Sequence, residues 1–348
     1  MSVFRVGLLG YGLSGRVFHA PLIKATPGLE LTTIVTADPD RRARAGHDFP
    51  DARVVAGADE VWVRADEHDL VVVASTTGTH AALATIAVDA GLAVVVEKPL
   101  APLVAPARAL VEHAAAAAVM LTVFHNRRWD AEFLTLRRLI ADGGLGDVTR
   151  FESRFERWRP DRAPGAWREE LSADDGGGVL LDLGVHLVDQ AMTLLGPVSH
   201  VYAEVAARRG GSDDDAFVAL RHDSGARSHL WCSAVAAAPG PRLRVLGSAG
   251  GYVVEHLDGQ EDALRAGHGP EEPEFGVEPP ERWGRLVHGD EQEPVPSEPG
   301  CWSAFYAGVV RALRDGAPPP VDPADAVATL EVLEAARRSS VEAAVVVL

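Results

Sequence analysis

The sequence predicts a two-domain α/β protein: a doubly wound parallel sheet at the N-terminus, then an α+β domain with a mostly antiparallel sheet. Three observations carry this. Up to residue 124, short valine-rich strands alternate with helical stretches, the rhythm of a parallel sheet with helical crossovers. A glycine-rich turn, Gly10-Tyr11-Gly12-Leu13-Ser14-Gly15, falls between the first strand and the first helix. From about 198 to 255 strands follow one another without helices, so neighbours there pair antiparallel. At 348 residues a single core would be large, which also favours two domains, 1–124 and 125–348, with the last helix free to pack back on the first.

In chain order, residues 3–9 read as a strand and the glycine turn leads into a helix that Pro21 is expected to interrupt early. Residues 31–36 are the second strand. In this strand, turn, helix, strand context G-x-G-x-x-G becomes a dinucleotide signal, and the first domain becomes a Rossmann domain. Gly10 allows the tight turn, Gly12 lets backbone approach a pyrophosphate, and Gly15 lets helix and strand pack closely. Leu13 and Ser14 lie within the turn, and the helix N-terminus faces the phosphates. At the second strand's tip, where an acid ordinarily takes the ribose hydroxyls, stands neutral Thr36. Arg41, Arg42 and Arg44 follow closely and suit a 2'-phosphate, so NADP is favoured and NAD remains possible. The opposing reading is that the arginines are a solvated helix face and Asp38 reaches back to the ribose.

Residues 54–56 and 70–74 are further strands. Ser75-Thr76-Thr77-Gly78-Thr79-His80 then turns into a helix over 81–90. Its small hydroxyl residues either line the nicotinamide ribose or cap the helix. His80 at the helix start is more commonly structural. Residues 92–96 form a fully apolar strand, which reads as buried. Glu97-Lys98-Pro99 ends it, and Pro99 holds Lys98 extended at the strand's carboxyl end, where α/β sheets bind ligands. The bland alternative is a surface turn. A helix over 101–118 and a strand over 119–124 complete the domain.

Past 125 the pattern changes. His125-Asn126-Arg127-Arg128-Trp129-Asp130 opens a helix to about 140, and 148–158 reads as a long strand. A polar loop over 159–174 carries Trp167-Arg168 just after Arg157-Trp158-Arg159. Gly176-Gly177-Gly178 precedes a helix over 179–195. Strands follow at 198–207, 215–222, 227–236, 241–247 and 251–255. Residues 256–299, rich in Pro, Gly, Glu and Asp, read as a mobile surface loop, and helices at 302–314 and 323–339 close the chain.

The helix over 179–195 holds Asp182, His186 and Asp189 at i, i+4 and i+7, one face of an otherwise apolar helix. Buried polar groups must satisfy each other or meet a ligand. An Asp that bonds a histidine ring fixes its tautomer and raises its basicity; the alternative is a satisfied core pair without chemistry. The triple glycine would let a loop and a substrate come close. Two possible ligands one turn apart are too few for a metal, and none is expected. Cys232 and Cys301 have neither disulfide nor zinc spacing. The net charge of -17 argues against nucleic acid or an anionic membrane as partner. With no signal peptide or membrane-length apolar run, a cytoplasmic protein is expected.

Gly10 to Gly15, Glu97-Lys98-Pro99 and Gly177-Gly178-Val179-Leu180-Leu181-Asp182-Leu183-Gly184-Val185-His186, in this order, resemble the Gfo/Idh/MocA oxidoreductase family over nearly the whole chain. Gly10 to Pro21 and Asn126-Arg127-Arg128-Trp129-Asp130 are most similar to the branch with NADP-dependent scyllo-inositol dehydrogenases. The resemblance implies a Rossmann domain, then an α+β domain whose open sheet forms a homodimer or homotetramer. It implies hydride transfer between a nicotinamide and a secondary hydroxyl or carbonyl of a cyclitol or sugar. It assigns catalysis to Lys98, Asp182 and His186: His186 takes the hydroxyl proton, Lys98 hydrogen-bonds the same oxygen, and Asp182 orients His186 or holds a second hydroxyl. Lys98 and His186 could exchange the proton role.

Cofactor contacts are expected from Gly10, Gly12, Leu13, Ser14, Gly15, Thr36, Arg41, Ser75, Thr76, Thr77, His80, Glu97 and Lys98. Substrate contacts are expected from Asn126, Arg157, Trp158, Trp167, Asp182 and His186, with Arg168 nearby. Where the family usually carries Thr-Pro-Asn this chain has Ser75-Thr76-Thr77, so the resemblance itself assigns no residue-specific role within that turn, though His80 keeps its place. The resemblance also allows a nicotinamide-dependent glycosidase acting by transient oxidation and elimination. A non-catalytic dinucleotide sensor would not need Lys98, Asp182 and His186 together.

Overall fold

The first strand, β1 (Phe4–Leu9), is flanked by β2 (Leu29–Val35) and later by β4 (Leu70–Val73). With β3 (Arg53–Val55), β5 (Ala93–Val96) and β6 (Leu121–Val123) they form one sheet in the order β3-β2-β1-β4-β5-β6. Every neighbouring pair is parallel. The computed structural model describes residues 3–162, 165 and 167–348, the side chain of Trp167 excepted. β4 and β5, Leu-Val-Val-Val and Ala-Val-Val-Val, are buried throughout, as central strands covered on both faces must be. Between β1 and β4 the strand order reverses. That switch point, at the carboxyl ends of the strands, is where open α/β sheets bind ligands.

The helix after β1 departs from expectation. Pro21 does not interrupt it: a π-helical segment, Ser14–His19, runs directly into an α-helix, Ala20–Ala25, and Pro21 sits in the first turn of that α-helix. A wider preceding turn relieves the clash that a proline ring makes with the carbonyl four residues back.

The second sheet has nine strands. β7 (Val148–Glu156), β8 (Val198–Ala206), β9 (Asp215–His222), β10 (Arg227–Ser233), β11 (Leu243–Gly247) and β12 (Gly251–Val254) are joined by β13 (Gly284–His288), β14 (Glu291–Val295) and β15 (Val346–Val347). The order is β14-β13-β12-β11-β7-β10-β9-β8-β15, an open sheet. Only β7 and β10 pair parallel. Alternation along β9 and β10 buries Val218, Leu220, Leu230 and Cys232. The helix Val185–Leu195 packs against β7 and β10. The opposite face carries half-buried Phe217 and Trp231, ring centroids 5.2 Å apart, with the Arg154 guanidinium 3.9 Å from the Trp231 ring.

Two further expectations are corrected. The helix from 126 to 140 is broken: a 3-10 turn, Asn126–Trp129, stops at extended Asp130 before an α-helix, Ala131–Ala141. The carboxylate of Asp258 caps that helix, accepting from the Ala131 amide at 2.7 Å. Residues 256–299 are not one loop. They hold a helix, Gln260–Ala266, and the β13–β14 hairpin, turned at Gly289 (φ +62°) and Asp290.

The chain divides into two compact units: residues 1–126, 260–275 and 301–327, and residues 127–259, 276–300 and 328–348. The sequence placed residues 125–348 in one domain with the last helix free to pack back on the first; here Gln260–Phe275 and Cys301–Val327 group with the first unit. Among the described residues no helix is long and apolar enough to cross a membrane.

Candidate active site

In the first unit, Gly10 follows β1 with φ +108°, and a Cβ there would lie 2.4 Å from the Ala74 carbonyl oxygen. A Cβ on Gly15 would lie 2.0 Å from the Gly10 carbonyl oxygen. Both positions therefore exclude side chains. Gly12 differs: the space its side chain would take is bordered within 4 Å by Arg41 Nη1 alone, at 3.6 Å. An open glycine edge with a guanidinium beside it, ahead of a helix N-terminus, fits a dinucleotide's phosphates.

At the tip of β2, Thr36 is buried and its amide donates to the Val55 carbonyl. Asp38 does not turn back. Its carboxylate caps the next helix, accepting from the Asp40 amide at 2.9 Å and the Arg41 amide at 3.0 Å. Those bonds, the Arg41 amide first, hold Asp38 below the ordinary carboxylate range. Arg42 donates to the Thr36 and Ala37 carbonyls. Arg41 stays beside Gly12, while Arg16 and Arg44 act on the Tyr11 phenol of the same turn.

After β4 the hydroxyl residues bond within their own turn: Ser75 Oγ lies 2.7 Å from Thr79 Oγ1, which donates to the Thr76 carbonyl. Thr77 is buried. His80 is buried as well, and its Nδ1 lies 2.8 Å from the Pro99 carbonyl oxygen. Burial pushes its pKa down, and with Nε2 3.2 Å from the Ser75 carbonyl oxygen the ring ties this turn to the one after β5.

The end of β5 is an acceptor centred on Glu97, which is buried. Its Oε1 accepts from the Ser14 hydroxyl and from His19 Nε2, at 3.2 Å for the latter, and its Oε2 accepts from the Lys98 amide at 2.8 Å. Burial would raise its pKa. His19, Lys98 and Ser14 outweigh that and hold the carboxyl at about 2. The Ser14 hydroxyl thus faces Glu97, and Glu97 anchors the turn. Lys98 is half-buried at the carboxyl end of β5, and its peptide bond to Pro99 is cis.

In the second unit, a π-helical segment, Leu180–Gly184, precedes the helix Val185–Leu195. Asp182 lies within the wider segment, and His186 and Asp189 lie in the α-helix that follows. Asp182 Oδ1 lies 3.3 Å from Arg168 Nε and is part-exposed. His186 is buried with its ring edge-on to Phe155, centroids 6.0 Å apart. Asp189 is held in a fork by Arg128, at 2.9 and 2.6 Å, which makes it a structural ion pair. Gly178, the last of the triple glycine, sits against Asp213. Gly178 has φ +93°, and a Cβ there would lie 1.9 Å from Asp213, whose carboxylate accepts from the Leu180 amide at 2.7 Å.

Among the other expected residues, Asn126 is buried, Arg157 half-buried and Trp158 57% exposed. Trp167 opens a short helix, Trp167–Glu170, and its side chain lies outside the described residues. Sequence reasoning passed over Arg127 and Arg242, whose guanidinium carbons lie 4.9 and 4.2 Å from the Phe155 ring behind His186. It also passed over His19 and Tyr306. His19 and Arg127 lie in segments that carry the resemblance, but their partners are remote in sequence and the spacing assigns them no role.

Residues 4–125 match the family model described as oxidoreductase family, NAD-binding Rossmann fold, and residues 133–253 match the GFO/IDH/MocA C-terminal domain. The chain belongs to the GFO/IDH/MocA oxidoreductase family. It is 34% identical to scyllo-inositol 2-dehydrogenase (NADP(+)) IolW of Bacillus subtilis (strain 168), over 100% of this chain and 97% of the relative. It is 38% identical to the oxidoreductase YdgJ of Escherichia coli (strain K12), over 95% and 94%. The solved structure of the Bacillus subtilis protein yvaA superposes with a TM-score of 0.93 at 33% identity, covering 100% of this chain and 99% of that one. The chain is accordingly an oxidoreductase of this family with a Rossmann domain for a nicotinamide dinucleotide.

Proposed function

We propose that this enzyme interconverts a secondary hydroxyl and a carbonyl on a cyclitol or sugar ring and prefers NADP(H) to NAD(H). One observation carries the cofactor preference: Asp38 is occupied as a helix cap while Arg41 borders the open edge of Gly12. Gly10, Gly12 and Gly15 would hold the pyrophosphate, and Arg41 the 2'-phosphate. When bound, the nicotinamide supplies the hydride acceptor or donor.

The chain's own residues do the rest. Lys98 gives a hydrogen bond that stabilises charge developing on the reacting oxygen, and His186 takes or returns its proton. Asp182, paired with Arg168, orients His186 or holds a second substrate hydroxyl. The named activity of the Bacillus subtilis relative supports a cyclitol. The half-buried aromatic row of Phe217 and Trp231 supports a homodimer or homotetramer through the second sheet, to be read by light scattering. Two free cysteines suit a reducing cytoplasm.

The test is a panel of cyclitols and sugars with added NADP or NAD, read as absorbance of reduced nicotinamide. Turnover of at least one cyclitol or sugar with NADP is expected. No turnover across the panel would remove the substrate class, and tighter binding of NAD would remove the cofactor preference.

A further inference from the structure

Glu97 stands at the centre of a buried chain of groups within the first unit. From its Oε1 the chain runs to His19 Nε2, and from His19 Nδ1 to the Tyr306 hydroxyl at 2.6 Å. His19 and Tyr306 are fully buried, and the His19 ring lies against Phe124, centroids 4.4 Å apart. Tyr306 itself packs between Phe305 and Phe124, so its hydroxyl has one fixed direction.

The proton positions follow from the charges. Glu97 is ionised, so each neighbour must donate to it: the Ser14 hydroxyl, His19 Nε2 and the Lys98 amide. With Nε2 carrying a proton towards Glu97, the other ring nitrogen meets the Tyr306 hydroxyl. Burial, then Glu97, push the phenol up. The three side chains therefore form one continuous hydrogen-bonded chain, Tyr306, His19 and Glu97.

An ionised carboxylate taken out of water is stable only while its donors are all present. Glu97 joins two segments that matter separately: Ser14 in the glycine turn, 83 positions away in sequence, and the backbone of Lys98. We propose that His19 and Tyr306 are positioning residues: through Glu97 they set the glycine turn and Lys98 together, so that the grip on the dinucleotide and the alignment of Lys98 stand or fall as one. The proposal rests on the dinucleotide-dependent function given above. It adds two residues that touch neither cofactor nor substrate in that reading.

The test is a double-mutant cycle of Tyr306→Phe and Glu97→Gln. Each protein is read by fluorescence titration with NADPH, by thermal unfolding without cofactor, and by kcat and KM on whichever polyol the panel supplies. Tyr306→Phe removes one hydroxyl and keeps the ring. It is expected to weaken NADPH binding about fivefold and lower kcat about tenfold with the polyol KM unchanged, the scale of one lost hydrogen bond in a network. In the Glu97→Gln background the same change is expected to do almost nothing further, because residues that act through one partner are not additive. If Glu97→Gln does not fold, Ser14→Ala takes its place.

A Tyr306→Phe protein with unaltered NADPH affinity, or the full loss in both backgrounds, overturns the relay. Wild-type protein that binds no dinucleotide overturns the relay and the functional reading together. Binding and turnover in wild type with no effect of Tyr306→Phe overturns the relay alone.

Discussion

Replacing Arg41 with alanine tests the cofactor reading most directly. The side chain is about half exposed, at 56%, and Nε is 3.8 Å from Asp38 Oδ2, too far for a hydrogen bond that would hold it away from a ligand. A hydrogen bond to a charged group contributes about 1.5–3 kcal/mol in shielded surroundings. Half exposure lowers that to about 1–2 kcal/mol. At about 1.4 kcal/mol per tenfold, Arg41→Ala should weaken NADPH binding roughly 5- to 30-fold. NADH, which has no 2'-phosphate, should bind as before. Fluorescence titrations of both nucleotides at one fixed ionic strength measure this, since exposed charges are screened by salt. Asp38→Ala is the companion: it should lower the melting temperature by removing a helix cap and leave NADH affinity unchanged. Equal losses for NADPH and NADH in Arg41→Ala would show only a general positive field. A specific loss of NADH in Asp38→Ala would show that the carboxylate serves the ribose, and the reasoning fails.

Lys98→Ala and His186→Ala should each cut kcat by about 10²–10⁴-fold with NADPH binding close to wild type, and unchanged turnover in either removes its role. Gly15→Ala should cost about 1–3 kcal/mol of stability and abolish NADPH binding, since the new Cβ would meet the Gly10 carbonyl at 2.0 Å; a normal melting curve with normal binding contradicts that packing. Glu132 supplies a pH prediction. Burial first, then the charges of Asp130 and Asp258, push its carboxyl up to about 8, against the pull of Arg242 Nε at 3.2 Å. The folded value lies above the unfolded one, so its stabilising contribution is complete at low pH and is lost as pH rises towards 8. Urea unfolding from pH 5 to 9 should show stability falling in wild type and a flatter curve in Glu132→Gln; identical slopes would refute the assignment.

The first sheet was legible because its signals are local. Runs such as Val71-Val72-Val73 and Val94-Val95-Val96 can only be buried parallel strands in that rhythm, and a glycine turn between strand and helix has few other uses. The hairpin inside 256–299 was missed because its acidic composition outweighs a weak alternation, and its strand character comes from pairing with β12. Pro21 was misread because a proline rule for straight α-helices does not apply after a π turn. The i, i+4, i+7 spacing likewise did not foretell the π-helical turn or the partner of Asp189. Leu180–Gly184 winds wider, and Asp189 meets Arg128, 61 positions earlier in the chain.

What the sequence by itself determined is the class of the protein and the kinds of groups at its centre: two sheets of different pairing, a dinucleotide turn, a lysine after a buried strand, and an aspartate and a histidine on one helix. Those depend on spacing and on the intrinsic preferences of short segments. What only the tertiary structure decided is the direction each polar group takes. The sequence left Asp38 free to choose the ribose or its own helix; the fold makes it a cap. It left the hydroxyls after β4 open, and the fold pairs those of Ser75 and Thr79. It gave no sign that Ser14, His19, Glu97 and Tyr306 meet, because a buried carboxylate collects its donors from wherever the packed chain brings them, and that gathering has no period to read.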